Sequence, residues 1–398
     1  MHPWSQVCWP AVQVRTLCGG TTTRRCRKQR GHARVVDLLL DAGARSEKKK
    51  SLTYHDALHA AITAGYADIA RRIWGHSSDE RFSELHAAAL VCYAARGDTS
   101  VLQLVAAGAN IDARDGCGFT PLLIAAAVGN SAVLSQLLAA GADAELKNAA
   151  NTSPLLCAST NGHTACVRAL LNADASIKSC GWTLMHTAAS KNEVTCLRTL
   201  LEAGADAEMT DFRGYTPLHV ASIHGTEMCM RALLDAGAKV NALSKRAETP
   251  LHISCLNGHE RCSRLLVGAG ADVGAADVNG LTPLHAACDR AGVAILRMLI
   301  SAGACVESPD KRQRRPLFLA CKRGRATFVR ELLAAGANTE VREEGELRPL
   351  DAAVDAHHFA CVYELLMAGA SMETDGKRGE TLFALARGGW ALTFFQVI

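Results

Sequence analysis

At 398 residues, 49% hydrophobic and 21% charged with a formal net charge of +4, the chain has the composition of a soluble, interaction-type polypeptide, and its charge is too small by itself to imply nucleic acid or a membrane surface. No apolar run approaches the roughly eighteen residues of a membrane span, and the N-terminus lacks the charged start, apolar stretch and cleavage pattern of a secretory signal, so the chain is expected to be intracellular. A globular chain of this length would divide into roughly two or three domains, whereas a chain of repeats need not, because each repeat buries its apolar face only against its neighbours.

Residues 1–30 show neither the helical nor the strand apolar period and contain the basic run RRCRKQR (24–30), which predicts a disordered leader or, read functionally, a nuclear localisation signal. From Gly31 the text changes: QRGHARVVDLLLDAGAR (29–45) has the form of the back half of a unit whose front half is missing. A polar stretch, WGHSSDERFSEL (74–85), then stands where a hairpin is expected. Further on, GYTPLHVASIHGTEMCMRALLDAGAKVNAL (214–243) recurs as AETPLHISCLNGHERCSRLLVGAGADVGAA (247–276) and as GLTPLHAACDRAGVAILRMLISAGACVESP (280–309). Equivalent positions fall at Ala88, Thr120, Ser153, Thr183, Thr216, Thr249, Thr282, Arg315, Arg348 and Thr381, spaced by 32, 33, 30 and then 33 residues throughout. The chain stops at WALTFFQVI, inside a second helix, so the array is expected to begin and end in partial units.

These units resemble the ankyrin repeat, in which TPLH opens a helix, a Gly-His turn leads to a second helix ending in Leu-Leu, and a GA-containing hairpin follows. The resemblance covers residues 31–398, about twelve units with the first and last partial. It implies an all-α repeat solenoid of helix-turn-helix units with β-hairpin fingers, elongated and curved, that binds partner proteins on its concave face. It also implies that His59, His186, His219, His252 and His285 tie turns together, that the Thr before Pro helps cap the first helix, and that His32, His163 and His259 belong to Gly-His turns. The AGA glycines, Gly204 and Gly237 among them, sit where a helix must end and the chain reverse.

Departures from the pattern carry expectations of their own. NADASIKSCGWT (172–183) is three residues short and lacks the AGA glycine, which predicts a stunted finger and a notch beside Trp182. The units at Arg315-Pro316-Leu317-Phe318 and Arg348-Pro349-Leu350-Asp351 have lost both Thr and His, so their helix caps are expected to be weakened. Among the sixteen cysteines, Cys166, Cys196, Cys229, Cys262 and Cys361 occupy a position held elsewhere by Val101, Val133, Ile295 or Phe328, while Cys255, Cys288 and Cys321 occupy a small-residue position held by Ala126. They are expected to be reduced core residues, neither disulfides nor metal ligands, since no C-x-x-C pair occurs and stacked helices stand too far apart to bridge.

The sequence holds no phosphate-binding loop, no H-E-x-x-H helix and no G-x-S-x-G elbow, so no catalytic, cofactor or metal residue is assigned. Function is sought where repeats vary: the hairpin tips, the residue before TPLH and the end of the first helix. These give Phe119; Trp182 and Lys191; Arg213, Tyr215 and His224; Lys245, Arg246 and Glu248; Leu281 and Arg290; then Lys311, Arg312, Arg314, Arg315, Lys322 and Arg323. Partner-binding is assigned to Phe119, Trp182, Arg213, Tyr215, His224, Lys245, Arg246, Arg312 and Arg314, with the aromatics as anchors and the basic fingers steering an acidic protein. The expected function is a non-catalytic protein-interaction scaffold of the cytoplasm or nucleus, without a small-molecule substrate or nucleic acid. The alternatives are an adaptor recruiting substrates to a larger machine such as a ubiquitin ligase, and the ankyrin arm of a truncated multidomain protein.

Overall fold

The computed structural model describes residues 90–373, apart from 92, 98–99, 107–108, 178–180 and 344–345. The leader at 1–30, the units before residue 90 with His32 and His59, the centre of the shortened hairpin and the closing WALTFFQVI lie outside the described residues. The chain divides into two compact units, residues 1–184 with 198–205, and residues 185–197 with 206–398.

In the first unit, α1 (Ser100–Ala106) precedes two helix pairs, α2 (Pro121–Val128) with α3 (Ser131–Ala139) and α4 (Pro154–Thr160) with α5 (Thr164–Asn172). Two helices, α6 (Gly181–Lys191) and α7 (Val194–Glu202), have residues in both units. The second unit continues with five pairs: α8 (Pro217–His224) and α9 (Glu227–Asp235), α10 (Pro250–Asn257) and α11 (Glu260–Gly268), α12 (Pro283–Arg290) and α13 (Val293–Ser301), α14 (Pro316–Lys322) and α15 (Ala326–Ala334), α16 (Pro349–Asp355) and α17 (Phe359–Met367). Within that unit first helices pack on first helices and second helices on second helices, as a repeat stack requires.

The first helices α2, α8, α10 and α12 start where Thr-Pro makes them start. Thr216 is extended (φ −80°, ψ 167°), and Pro217 takes the first helical position, where its missing N–H costs nothing. His219 then works in two directions. Its Nδ1 accepts the Thr216 backbone N–H at 3.1 Å, and its Nε2 donates to the Glu248 carbonyl of the next repeat at 3.0 Å. The same link runs from His186 to Tyr215, His252 to Leu281 and His285 to Arg314. These bonds define the neutral, Nε2-protonated tautomer. Burial pulls His219 down from 6.5 to about 4, against the hydrogen bond to Glu248, which favours the charged form.

A second link explains the Gly-His turn. Gly225 ends α8 in the left-handed region (φ 69°), and a Cβ there would stand 2.5 Å from Nδ1 of His259 in the following repeat. The glycine makes room for a histidine whose Nε2 donates to the Ile223 carbonyl at 3.0 Å. Where the histidine is absent, other donors reach the preceding repeat. Thr226 Oγ1 donates to Ala189 O at 2.8 Å, and the Arg325 guanidinium donates to the carbonyls of Asp289 and Ala291.

The core is the apolar stripe the period predicts. Leu218, Leu233, Leu251, Leu266, Leu284 and Leu299 are fully buried, and so are Cys166, Cys196, Cys229, Cys255, Cys288, Cys321 and Cys361. No disulfide joins the described cysteines. Burial pushes the Cys229 and Cys288 thiols up to about 12, so they behave as small apolar groups. The hairpin fingers are successions of hydrogen-bonded turns; no strand forms among the described residues.

The two units expected to have weak caps have rebuilt them with charge. The Arg315 backbone N–H donates to Glu343 Oε2 at 2.8 Å, and the Arg315 side chain pairs with Glu307 at 3.1 Å. Asp351 stands where histidine stood and accepts the Arg348 N–H at 3.0 Å. The buried Arg348 guanidinium supplies the forward link, donating to the carbonyls of Ser371 and Glu373.

Replacing Leu233 by Ala should lower stability by about 2–5 kcal/mol in urea unfolding, whereas Cys262→Val should change it by less than about 1.5 kcal/mol. The histidines predict a pH dependence. The unfolded chain takes up a proton at His219 near 6.5 and the folded chain only near 4, so between those values the unfolded state binds more protons. The stability that neutral His219 contributes is therefore complete above about 6.5 and lost as pH falls toward 4. The gap between the parent and His219→Gln in urea midpoint should close over that interval.

Candidate functional site

The fingers of the second unit are built on one plan. Asp211 folds its finger by accepting the backbone N–H groups of Arg213 and Tyr215 on Oδ1, both at 2.8 Å. Its own N–H donates to the Tyr215 carbonyl at 3.0 Å. Ser244, Asp277 and Asp310 do the same for the next three fingers. The two residues after each anchor form the tip: Phe212-Arg213, Lys245-Arg246, Val278-Asn279 and Lys311-Arg312.

Neighbouring tips are joined by single backbone hydrogen bonds. Lys245 N–H donates to Arg213 O at 3.0 Å, Val278 N–H to Arg246 O at 2.9 Å, and Lys311 N–H to Asn279 O at 2.9 Å. Gly214 permits the first of these approaches: it is left-handed (φ 79°), and a Cβ there would lie 2.8 Å from the Lys245 nitrogen. Below the tips a further row of bonds fixes the spacing, with Lys239 N–H donating to Glu208 Oε1 and Asp272 N–H to Asn241 Oδ1.

On this scaffold the tip side chains are presented to solvent. Phe212 is 69% exposed, Leu243 61% and Val278 42%, large values for apolar residues. The Arg213 guanidinium lies 5.3 Å from the Phe212 ring centre. Arg213, Lys245, Arg246, Lys311 and Arg312 are exposed. Among the described residues, Lys245, Arg246 and Lys311 make no ion pair. The turn acids are used within the fingers: Asp211 and Asp277 accept backbone N–H groups, and Asp310 also pairs with Arg314 at 2.7 Å. Burial would raise Asp310, but its bonds to Arg314 hold it below the usual carboxylate range.

The residues assigned from sequence divide accordingly. Arg213, Lys245, Arg246 and Arg312 are tip residues, and His224 is exposed at the end of α8. Tyr215 is half-buried, stacked on His219 with ring centres 5.5 Å apart, and its hydroxyl donates to Glu248 Oε2 at 3.1 Å. It braces two fingers. Arg314 is half-buried and committed to Asp310. Phe119 is half-buried in a finger of the first unit, its N–H bonded to Asp115. Trp182 opens α6, but its side chain, and with it the expected notch, lies outside the described residues. The sequence reading missed Phe212, Leu243 and Val278. For Phe212 and Val278 the signal was there, since each directly follows an Asp anchor; Leu243 precedes its anchor, Ser244, and carried no such signal.

Among the described residues no group of three or more His, Cys, Asp or Glu is placed to hold a metal ion. An open hollow of about 380 Å³ on α5 is lined by Thr164, Ala165, Arg168, Ala169 and Asn172, which include no acid–base pair.

Three stretches, residues 85–179, 173–244 and 241–310, match the family model described as ankyrin repeats (3 copies), and together they span more than half of the chain. The chain belongs to the ankyrin repeat family. Among solved structures, the crystal structure of the human ASB11 ankyrin repeat domain is similar, with 29% sequence identity, 55% of this chain and 99% of that chain covered, and a TM-score of 0.49. A comparison with curated proteins returns no match. Ankyrin repeats are a typically non-catalytic interaction module and imply protein partners. No helix among the described residues of this ankyrin protein is long and apolar enough to cross a membrane.

Burial first, and then the charge and hydrogen bond of Glu248, push the Tyr215 phenol above its ordinary value, against the opposing charges of Arg213 and Arg246. Glu248→Gln should therefore lower the Tyr215 ionisation midpoint in a spectrophotometric titration read against Tyr215→Phe. An unchanged midpoint would mean that the bridge between the two fingers does not form.

Proposed function

We propose that this ankyrin array is a non-catalytic scaffold that binds a partner protein through the row of fingertips from Phe212 to Arg312. In an ankyrin solenoid this row borders the concave face. The observation that carries the reading is the pairing of a rigid backbone with uncommitted side chains. Each finger's turn is fixed by two N–H bonds to its anchor and each pair of neighbouring tips by one backbone bond, yet Phe212 and Val278 stay exposed and Lys245, Arg246 and Lys311 lack ion-pair partners among the described residues. Exposed apolar side chains held in fixed positions are suited to act as interface anchors, since little conformational entropy is lost when a partner covers them.

Anchoring is thus assigned to Phe212, Leu243 and Val278, and steering to Arg213, Lys245, Arg246, Lys311 and Arg312. Tyr215 and Arg314 serve the surface indirectly by bracing it. The opposite, second-helix face is covered differently, with Arg231 and Arg264 engaged by Glu227 and Glu260 on their own helices and Arg297 by Glu331. These arginines are already paired, which favours the tips as the binding side.

The test is capture from cell extract on immobilised full-length chain, with the bound proteins quantified. Phe212→Ala combined with Arg246→Glu should reduce capture of the specific partner by about tenfold or more, the scale of interface anchors, with helical circular dichroism unchanged. Arg261→Glu combined with Arg264→Glu, on α11, should leave capture intact. The reverse pattern would place binding on the second-helix face.

A further inference from the structure

The four tips in the second unit carry, in order, Phe212, Lys245, Val278 and Lys311 as the first residue after the turn anchor. Apolar and cationic side chains alternate along one hydrogen-bonded row. The alternation is a property of the row and not of any one finger, because each member is contributed by a separate repeat and joined to the next by a single backbone bond of 2.9 or 3.0 Å. All four side chains are exposed.

Building on the fingertip reading, we infer that the occupant of this row is an extended acidic segment of a partner protein, in which an apolar residue and a carboxylate alternate at every third position. The spacing follows from two lengths. Packed helices in a repeat stack stand about 8–10 Å apart, so consecutive tips do too, and an extended chain advances about 3.3 Å per residue. Three residues of ligand therefore match one finger. An apolar residue over Phe212 puts the third residue onward at Lys245, the sixth at Val278 and the ninth at Lys311. Read from Phe212 the order is apolar, acidic, apolar, acidic, and a ligand running the other way would present the reverse sequence.

Charge complementarity selects carboxylates over other groups at the two alternate positions. Lys245 has Arg246 beside it and Lys311 has Arg312, while the nearest finger acids are engaged: Asp277 and Asp310 accept turn N–H groups and Glu248 accepts the Tyr215 hydroxyl. An acidic ligand would supply the anions the fold has used elsewhere. Beside Val278 stands Asn279, whose side chain is turned to Asp277, and beside Phe212 the Arg213 guanidinium lies against the ring. Those two positions are thus the apolar ones, with polar groups at their margins.

The experiment measures fluorescence anisotropy of labelled synthetic peptides with the full chain at two salt concentrations. The first probe is Leu-Ser-Ser-Asp-Ser-Ser-Leu-Ser-Ser-Asp. A second has the same composition with its leucines together at one end and its aspartates at the other, a third has Lys in place of Asp, and a fourth is a single-stranded oligothymidine. The alternating peptide should bind about tenfold more tightly than the other three, with affinity falling as salt rises. Lys245→Glu with Lys311→Glu should remove about tenfold of that affinity and most of the salt dependence, whereas Phe212→Ala with Val278→Ala should lose about tenfold while keeping it. Equal binding of the clustered peptide would overturn the register, and an alternating peptide that binds no better than its lysine counterpart would overturn the acidic ligand. Oligothymidine bound as tightly as the alternating peptide would assign the row to nucleic acid instead. If the peptides fail while the fingertip variants still lose partner capture, the inference about the ligand falls and the binding surface stands.

Discussion

A buried neutral imidazole holds the regular part of this array together. Wherever Thr-Pro-Leu-His occurs, the backbone N–H that precedes the helix and the carbonyl that ends the next finger's turn would both be shut away from water. One side chain satisfies both, with Nδ1 accepting from Thr216 and Nε2 donating to Glu248 in the central example. Leaving either group unmatched would cost about 1–3 kcal/mol, so the motif is a hydrogen-bond requirement before it is a packing one. The fingertip row hangs from the same bond, because the carbonyl that each histidine holds belongs to the residue closing the next turn.

Two units without that histidine, at Arg315 and Arg348, meet the requirement with other residues. Glu343 reaches back to the Arg315 N–H, and Asp351 accepts the Arg348 N–H while the Arg348 guanidinium reaches forward. These replacements bring charge into a buried place. Burial pushes Glu343 up to about 7, despite Arg315 beside it. An imidazole does the same work uncharged, which is a physical reason for the regular units to use it.

Helix pairs, their starts at Thr-Pro, the aliphatic-or-cysteine core position and the role of the TPLH histidine were all legible in the sequence, because each recurs at the period and so averages over local accident. What was not legible depends on contacts between fingers. Tyr215 reads as an anchor by its place before TPLH, yet the turn draws that place inward and the ring settles on His219. Arg314 reads as a steering charge, yet Asp310 lies within reach once the turn closes. Phe212 is not among the residues read from the sequence, and its place after the turn anchor leaves its ring 69% exposed. The Gly-His turn was legible as a motif but not as a relation between repeats: Gly225 belongs to one repeat, and the His259 it accommodates belongs to the next.

The turn anchors connect this architecture to its surface. An anchor side chain that accepts two backbone N–H groups fixes the turn through main-chain atoms, without using either tip side chain. Among the described residues Lys245, Arg246 and Lys311 are held there without an ion pair. The hydrogen bonds that fix Lys245 N–H to Arg213 O and Val278 N–H to Arg246 O use only main-chain atoms, leaving the side chains at those positions free to vary without loss of the row. A surface of this kind can change the chemistry it recognises one finger at a time, while its spacing, set by helix packing beneath, stays the same.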